Sequence, residues 1–147
     1  MTEAIISVRN LTMAYGSRVI QKDVTFDVKA GDIFVIMGGS GCGKSSLLKH
    51  LLGLLEAAAG DIFYGSENFT EAGATQRQAL RRRWGVSYQS GGLISAMTLA
   101  QNVALPLEQY SSYPASDIEE VVALKLALVG LDGYQDFLPS EISGGMR

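Results

Sequence analysis

Gly38-Gly39-Ser40-Gly41-Cys42-Gly43-Lys44-Ser45 is the stretch of this sequence whose residue types and spacing point most directly to chemistry. A glycine, four residues and then Gly-Lys-Ser is the spacing of a phosphate-binding loop, or P-loop. Its glycines permit tight turns and let successive backbone N–H groups approach phosphate oxygens where a side chain would intrude. Lys44 supplies a point charge for the β and γ phosphates. Ser45, followed by Ser46, places a hydroxyl in a first helical turn, where it can ligate Mg2+, while the helix N-terminus adds unpaired donors and the positive end of its dipole. The implied ligand is a nucleoside triphosphate with magnesium. Cys42, inside the loop beside Lys44, is expected to alkylate readily and to be protected by that ligand. The reaction stays open at this point, because kinases, GTPases, helicases and transporters share such loops.

The elements that must hold this loop can be read around it. Ile33-Phe34-Val35-Ile36-Met37 has no polar alternation and predicts a central strand, buried on both faces, that feeds the loop. Leucines at 47, 48, 51, 52, 54 and 55 predict a mostly buried helix over 45–55, with His50, the only histidine, as a surface or packing residue. Upstream, residues 5–13 read as a strand closed by Tyr15-Gly16, and Val24, Phe26 and Val28 alternate with Thr25, Asp27 and Lys29 as in a half-exposed antiparallel strand. Downstream, Gly60 and residues 61–65 repeat the turn-then-strand pattern, and Arg81-Arg82-Arg83 read as the solvated last turn of a helix. Trp84 to Gln89 predict a further strand. Thr98-x-x-Gln101 has the form of a capping box and opens a short helix limited by Pro106. Ser116-x-x-Glu119 is a second such box, whose helix is expected to bury Ile118, Val121, Val122, the Lys125 stem, Leu128 and Val129 before stopping at Gly130. Two regions result: an α/β core with N-terminal antiparallel strands over 1–92, and a helical region over 93–147.

Composition narrows the classes. A length of 147 residues with 47% hydrophobic residues and only three prolines suits one ordinary α/β domain with a real core. The net charge of -3, with the negative excess lying beyond residue 110, argues against a nucleic-acid partner held by bulk positive charge. One cysteine excludes an internal disulfide and suits a reducing compartment, and no run approaches the roughly 18–20 apolar residues of a membrane span. The expected address is cytoplasmic, with any membrane link made through a partner.

A second constellation closes the sequence: Ile142-Ser143-Gly144-Gly145-Met146. With Tyr15, the P-loop and Gln89 before it in order, it resembles the signature motif of ABC ATPases, and the match runs almost end to end. The resemblance implies a P-loop NTPase fold, an ABC ATPase core with an antiparallel β edge and a helical insertion. It also implies that Tyr15 stacks on adenine, that Gln89 contacts Mg2+ and the attacking water, and that Ser143, Gly144 and Gly145 face the γ-phosphate in a partner domain's P-loop. The partners it implies are a second copy of the ATPase and a transmembrane permease, with no nucleic acid. The protein would then sit peripherally on the cytoplasmic face of the inner membrane. Ser46 stands where Thr is common, and Met146 where Gln is common. Met146, with Gln89-Ser90-Gly91-Gly92-Leu93 and Asn102-Val103-Ala104-Leu105-Pro106-Leu107, is similar to the ATPase subunits of bacterial lipid-asymmetry and toluene-tolerance systems, which move phospholipid between membranes. In that family the signature precedes the Walker B Asp, the catalytic Glu and the switch His. The expectation is therefore an ABC-type ATPase subunit that couples MgATP binding and hydrolysis to transport, here cut after the signature, so that the isolated 147-residue chain is inactive and Ile33–Met37 lacks a parallel neighbour. The competing expectations are a non-hydrolysing nucleotide-binding fragment and a soluble P-loop NTPase without a membrane partner.

Overall fold

The alternation read at 5–13 is the middle of strand β1, Ala4–Tyr15, which turns at Gly16 into strand β2, Arg18–Lys29. The computed structural model describes residues 4–88 and 91–147, which fall into two compact units, 1–85 and 86–147. In the first unit β1 is an interior strand of a four-stranded antiparallel sheet. Strand β3, Ala59–Tyr64, lies on its other side, and the two-residue strand β4, Glu67–Asn68, lies outside β3.

A strict period of two would put Val8 and Leu11 on opposite faces of β1, yet both are fully buried. The register shifts between them against β2, and Asn10 takes a left-handed φ of 48°, so a bulge resets the alternation. Gly60 makes room for that bulge. A Cβ on it would lie 2.3 Å from the Asn10 carbonyl oxygen, and its φ is +83°. Val8, Leu11, Met13 and Ile62 from the sheet then pack with Leu47 and Leu51 of helix α1, Lys44–Leu51, with Phe69, and with Leu80 of helix α2, Ala74–Arg81.

Three expectations for this part of the chain are corrected. Ile33–Met37 forms no strand and is not buried: Ile33 is 94% exposed and Met37 84%. Among the described residues no strand lies alongside it, and an apolar run has no ladder to join without a neighbour. Its one aromatic, Phe34, stacks on Phe26 of β2 with ring centroids 4.9 Å apart. Residues 84–88 likewise form no strand, and Trp84 packs against Tyr64 instead. The helix read over 45–55 ends at Leu51, because Gly53 turns the chain with a φ of +66°. Leu54 is consequently exposed, and so is Leu48 on the outer side of α1.

The second unit is helical. Helix α3, Leu99–Tyr110, opens with the Thr98 capping box, in which the Thr98 hydroxyl accepts from Gln101 N and the Gln101 side chain accepts from Thr98 N. Pro106 does not end it: one lost backbone donor is tolerated, and Ser111 N still bonds to Leu107 O at 2.9 Å. Asn102 fastens the preceding loop, donating to the carbonyls of Ile94, Met97 and Thr98 and accepting from Ile94 N. Helix α4 runs Ala115–Leu128 with Pro114 at its N-cap. It starts ahead of the expected box because proline is already set for helix entry, so Ser116 falls inside the first turn and donates to Asp117 Oδ1 rather than capping. Ile118, Val122 and Leu126, one face at four-residue spacing, are buried with Leu99, Ala104, Leu131 and Ile142. Leu128 and Val129, expected to be buried, are each 69% exposed, since the helix gives way at Val129 and Gly130 before they can turn inward.

Candidate functional site

The loop from Gly38 to Gly43 reaches α1 without a side-chain cap. Gly43 is the N-cap residue at φ 101°, and the first intrahelical bond is Leu47 N to Gly43 O at 2.8 Å. The N–H groups of the first turn are thus left to an outside acceptor, and no acidic residue stands in that turn to compete for them. The Lys44 ammonium folds back into the loop, donating to Gly38 O at 2.8 Å, to Gly39 O at 2.7 Å and to Cys42 Sγ at 3.6 Å. An ammonium has three donors, and loop atoms take all three here. The loop itself is anchored on β2, where Gln21 donates to Cys42 O at 3.0 Å.

The glycines are held by contact as well as by conformation. A Cβ at Gly38 would lie 2.6 Å from Cys42 Sγ, and one at Gly43 would lie 2.9 Å from Ile20 Cγ2. Gly41, at φ +80°, meets nothing within 4 Å and faces open space, as does Gly39. A basic side chain, an uncapped helix start and a glycine-lined open side, with no carboxylate among them, form a donor set that fits a phosphate. Ser45 is exposed beside it. A cavity of about 310 Å³ opens beside the loop, lined by Cys42, Gly43 and Lys44, by Gln21 and Phe26 of β2, and by Phe34, Ile36 and Met37.

Tyr15 ends β1 close to α1: its hydroxyl accepts from Ser46 Oγ at 3.5 Å, and its ring is 43% exposed. The first unit therefore brings together Tyr15, the whole loop, Lys44, Ser45 and Ser46. Ser143, Gly144 and Gly145 lie exposed in the second unit, in a turn closed by Met146 N to Ser143 O at 3.1 Å and anchored by buried Ile142. Gln89 lies outside the described residues. His50 is a packing residue, 1% exposed, with Nδ1 2.7 Å from Ser46 O and Nε2 without a hydrogen-bond partner. Sequence reasoning missed Gln21. Nothing local marks a strand glutamine that braces a loop 21 residues away.

Residues 21–147 match the family model described as ABC transporter. The chain belongs to the ABC transporter family. Among curated relatives of this ABC chain, the probable ribonucleotide transport ATP-binding protein mkl of Mycobacterium leprae is 42% identical over 142 residues, which cover 97% of this chain and 41% of that protein. The intermembrane phospholipid transport system ATP-binding protein MlaF of Haemophilus influenzae is 38% identical over 146 residues, covering 99% and 55% respectively. The chain thus spans about half the length of the curated relatives it matches. A dimeric ATP-binding cassette solved in a post-hydrolysis state with ADP and Pi superposes with a TM-score of 0.83 at 25% identity, over 96% of this chain and 64% of that one. The fold read from the sequence, an ABC-type P-loop NTPase domain, is the fold found. The family binds nucleotide. Among the described residues no helix is long and apolar enough to cross a membrane.

Proposed function

We propose that the chain is the nucleotide-binding part of an ABC transporter ATPase subunit, binding ATP with Mg2+ at the loop Gly38–Ser45. One observation carries this reading: the Lys44 ammonium sits inside a glycine loop at the uncapped start of α1. In the bound state Lys44 would exchange the Gly38 and Gly39 carbonyls for phosphate oxygens, a short movement of a charge already in place. Ser45, with Gln89 from beyond the described core, would hold the metal. Among the described residues no group of three or more His, Cys, Asp or Glu side chains gathers, so most of the metal's ligands would be phosphate oxygens and water. Tyr15, carried beside Ser46, offers an exposed ring to the base.

A second ATPase subunit and a membrane permease are the partners this reading requires, placing the protein peripherally on the cytoplasmic face of the inner membrane. Ser143, Gly144 and Gly145 are exposed and free of side chains that would block an approach, as presentation to a partner's nucleotide demands. The cargo we infer is phospholipid moved between bacterial membranes, supported by the likeness to MlaF and by the Ser143-Gly144-Gly145-Met146 run. A nucleotide cargo is the second reading, favoured by the 42% identity to mkl. Lipid exchange between vesicles by the reconstituted transporter decides between them.

Nucleotide binding is tested by calorimetry. Lys44→Ala removes a charge-assisted contact of about 2–3 kcal/mol, so MgATP affinity falls tens-fold or more. Equal titrations for wild type and variant would overturn the assignment. The 147-residue chain is expected to hydrolyse ATP at no more than background, because among the described residues no carboxylate stands at the loop: Asp32 is engaged by Lys29 N and Asp61 by Asn68. Lys44-dependent phosphate release from this chain would show that it supplies a base of its own.

A further inference from the structure

The carbonyls at the C-terminal end of a helix have no partner within it. In α1 side chains from elsewhere in the unit take those of the last turn and the residues after it. Tyr64 Oη donates to Leu51 O at 2.7 Å, Arg81 Nε to Leu52 O at 3.2 Å and Arg81 Nη2 to Gly53 O at 2.7 Å. Burial pushes the Tyr64 phenol up to about 12, which keeps its proton, and so its donor, through the neutral range. The close approach depends on Gly53, where a Cβ would lie 2.6 Å from Phe69 Cζ and 2.8 Å from Arg81 Nη2.

The residues that grip α1 also hold Trp84, the one tryptophan of the chain. The Tyr64 ring stacks on Trp84 with centroids 4.1 Å apart, and Phe69 meets both rings edge-on, 5.3 Å from Tyr64 and 5.8 Å from Trp84. The Arg81 guanidinium lies over Phe69 at 5.9 Å. Lys44, the charged residue of the phosphate loop, is the first residue of α1, and Leu51, which Tyr64 grips, is its last. A helix of eight residues is about 12 Å long and moves as one piece when its first turn is pulled.

We propose that Tyr64 and Arg81 are positioning residues that transmit occupancy of the phosphate loop, through α1 as a strut, to Trp84. The inference rests on the nucleotide-binding reading above, and the ligand it concerns is a nucleoside triphosphate. Neither residue touches that ligand. Each holds the far end of the helix that does, and a displacement there reaches the indole through the Tyr64 stack and through the Arg81–Phe69 contact.

The test titrates the full chain with MgATP, following Trp84 emission and calorimetric heat in parallel. Wild type is expected to show an emission change that saturates with binding. Tyr64→Phe keeps the ring stack and loses only the hydroxyl, and it should lose most of that change while MgATP affinity stays within about threefold of wild type. Arg81→Ala should do the same, and Arg81→Lys, which keeps one donor nitrogen and the charge, should recover part of the signal. Should Arg81→Ala fail to fold, Tyr64→Phe carries the test alone. A full-sized emission change in Tyr64→Phe overturns the inference, and so does heat of binding with a silent Trp84 in wild type. Affinity that falls in step with the emission change would make the two residues supports of the fold only, and would overturn it equally. No heat of binding in wild type would overturn the nucleotide reading itself and this inference with it.

Discussion

β1 and Ile33–Met37 are both runs of apolar and β-branched residues in the same unit, and they meet opposite fates. β1 is paired on both sides and carries Val8 and Leu11 at 0% exposure, whereas Ile33 stands at 94% and Val35 at 67% with no ladder on either side. The difference is not one of hydrophobicity. β1 finds its first partner across a turn at Gly16, and β3 returns to its other side within the same unit. Ile33–Met37 has no such partner among the described residues, so the side chains of Ile33, Val35 and Met37 remain largely in water and its backbone donors and acceptors unclaimed by a sheet. A strand is a property of neighbours, and a sequence window reports only the candidate.

This contrast can be broken or sharpened by substitution. The largest effect is expected in β1: Leu11→Ala removes a fully buried side chain and should cost about 2–5 kcal/mol by urea unfolding. Gly60→Ala should follow, since its Cβ would meet the backbone oxygen of Asn10 at 2.3 Å and its φ is +83°, a strain of order 1–3 kcal/mol. Ile33→Ser should shift the urea midpoint by no more than about 0.5 kcal/mol and should lower light scattering of the concentrated chain, because it removes exposed apolar area without touching the core. A cost for Ile33→Ser as large as that of Leu11→Ala would mean that the run is buried after all.

The smallest effect concerns the rim of the sheet. The Asp27 carboxyl is held below its ordinary value of 3.8 first by the Ser7 hydroxyl and then by Arg9, both 2.6 Å from Asp27 Oδ1. A carboxyl whose pKa is lower in the folded state stabilises it above the unfolded pKa and loses that contribution as pH falls through the folded value. The gap in urea midpoint between wild type and Asp27→Asn should therefore be present near neutrality and close as pH falls below 3.8. The group is exposed, so the gap should be slight. A gap that widens on acidification would contradict the pairing.

What the sequence made legible was what is decided locally. The loop and the start of its helix follow from glycines and Lys44, the α3 start from Thr98 and Gln101, and the hairpin of β1 and β2 from alternation broken at Gly16. What it concealed was decided by distant atoms. Ile33–Met37 and residues 84–88 have the composition of strands and, among the described residues, no partner strand, while His50 is buried because α1 lies against the sheet. The Ser116 box was a sound local signal displaced by Pro114 two residues earlier. At the site, Tyr15 lies beside Ser46, but the brace from Gln21 and the fastening by Tyr64 and Arg81 depend on contacts that no spacing rule announces.

The exposed run from Ile33 to Met37 also sets a clock on biosynthesis. Ribosomes extend a chain at about 5–20 residues per second, so the roughly one hundred residues that follow Met37 here take about 5–20 s to emerge. Local hairpins close in microseconds, and the β1–β2 pair can form almost as soon as it leaves the exit tunnel. The apolar run has no such early companion. Its exposure does not end when those residues have emerged, since Ile33 and Met37 are still 94% and 84% exposed in the fold, so the segment is a short sticky patch beside a folded hairpin from synthesis onward.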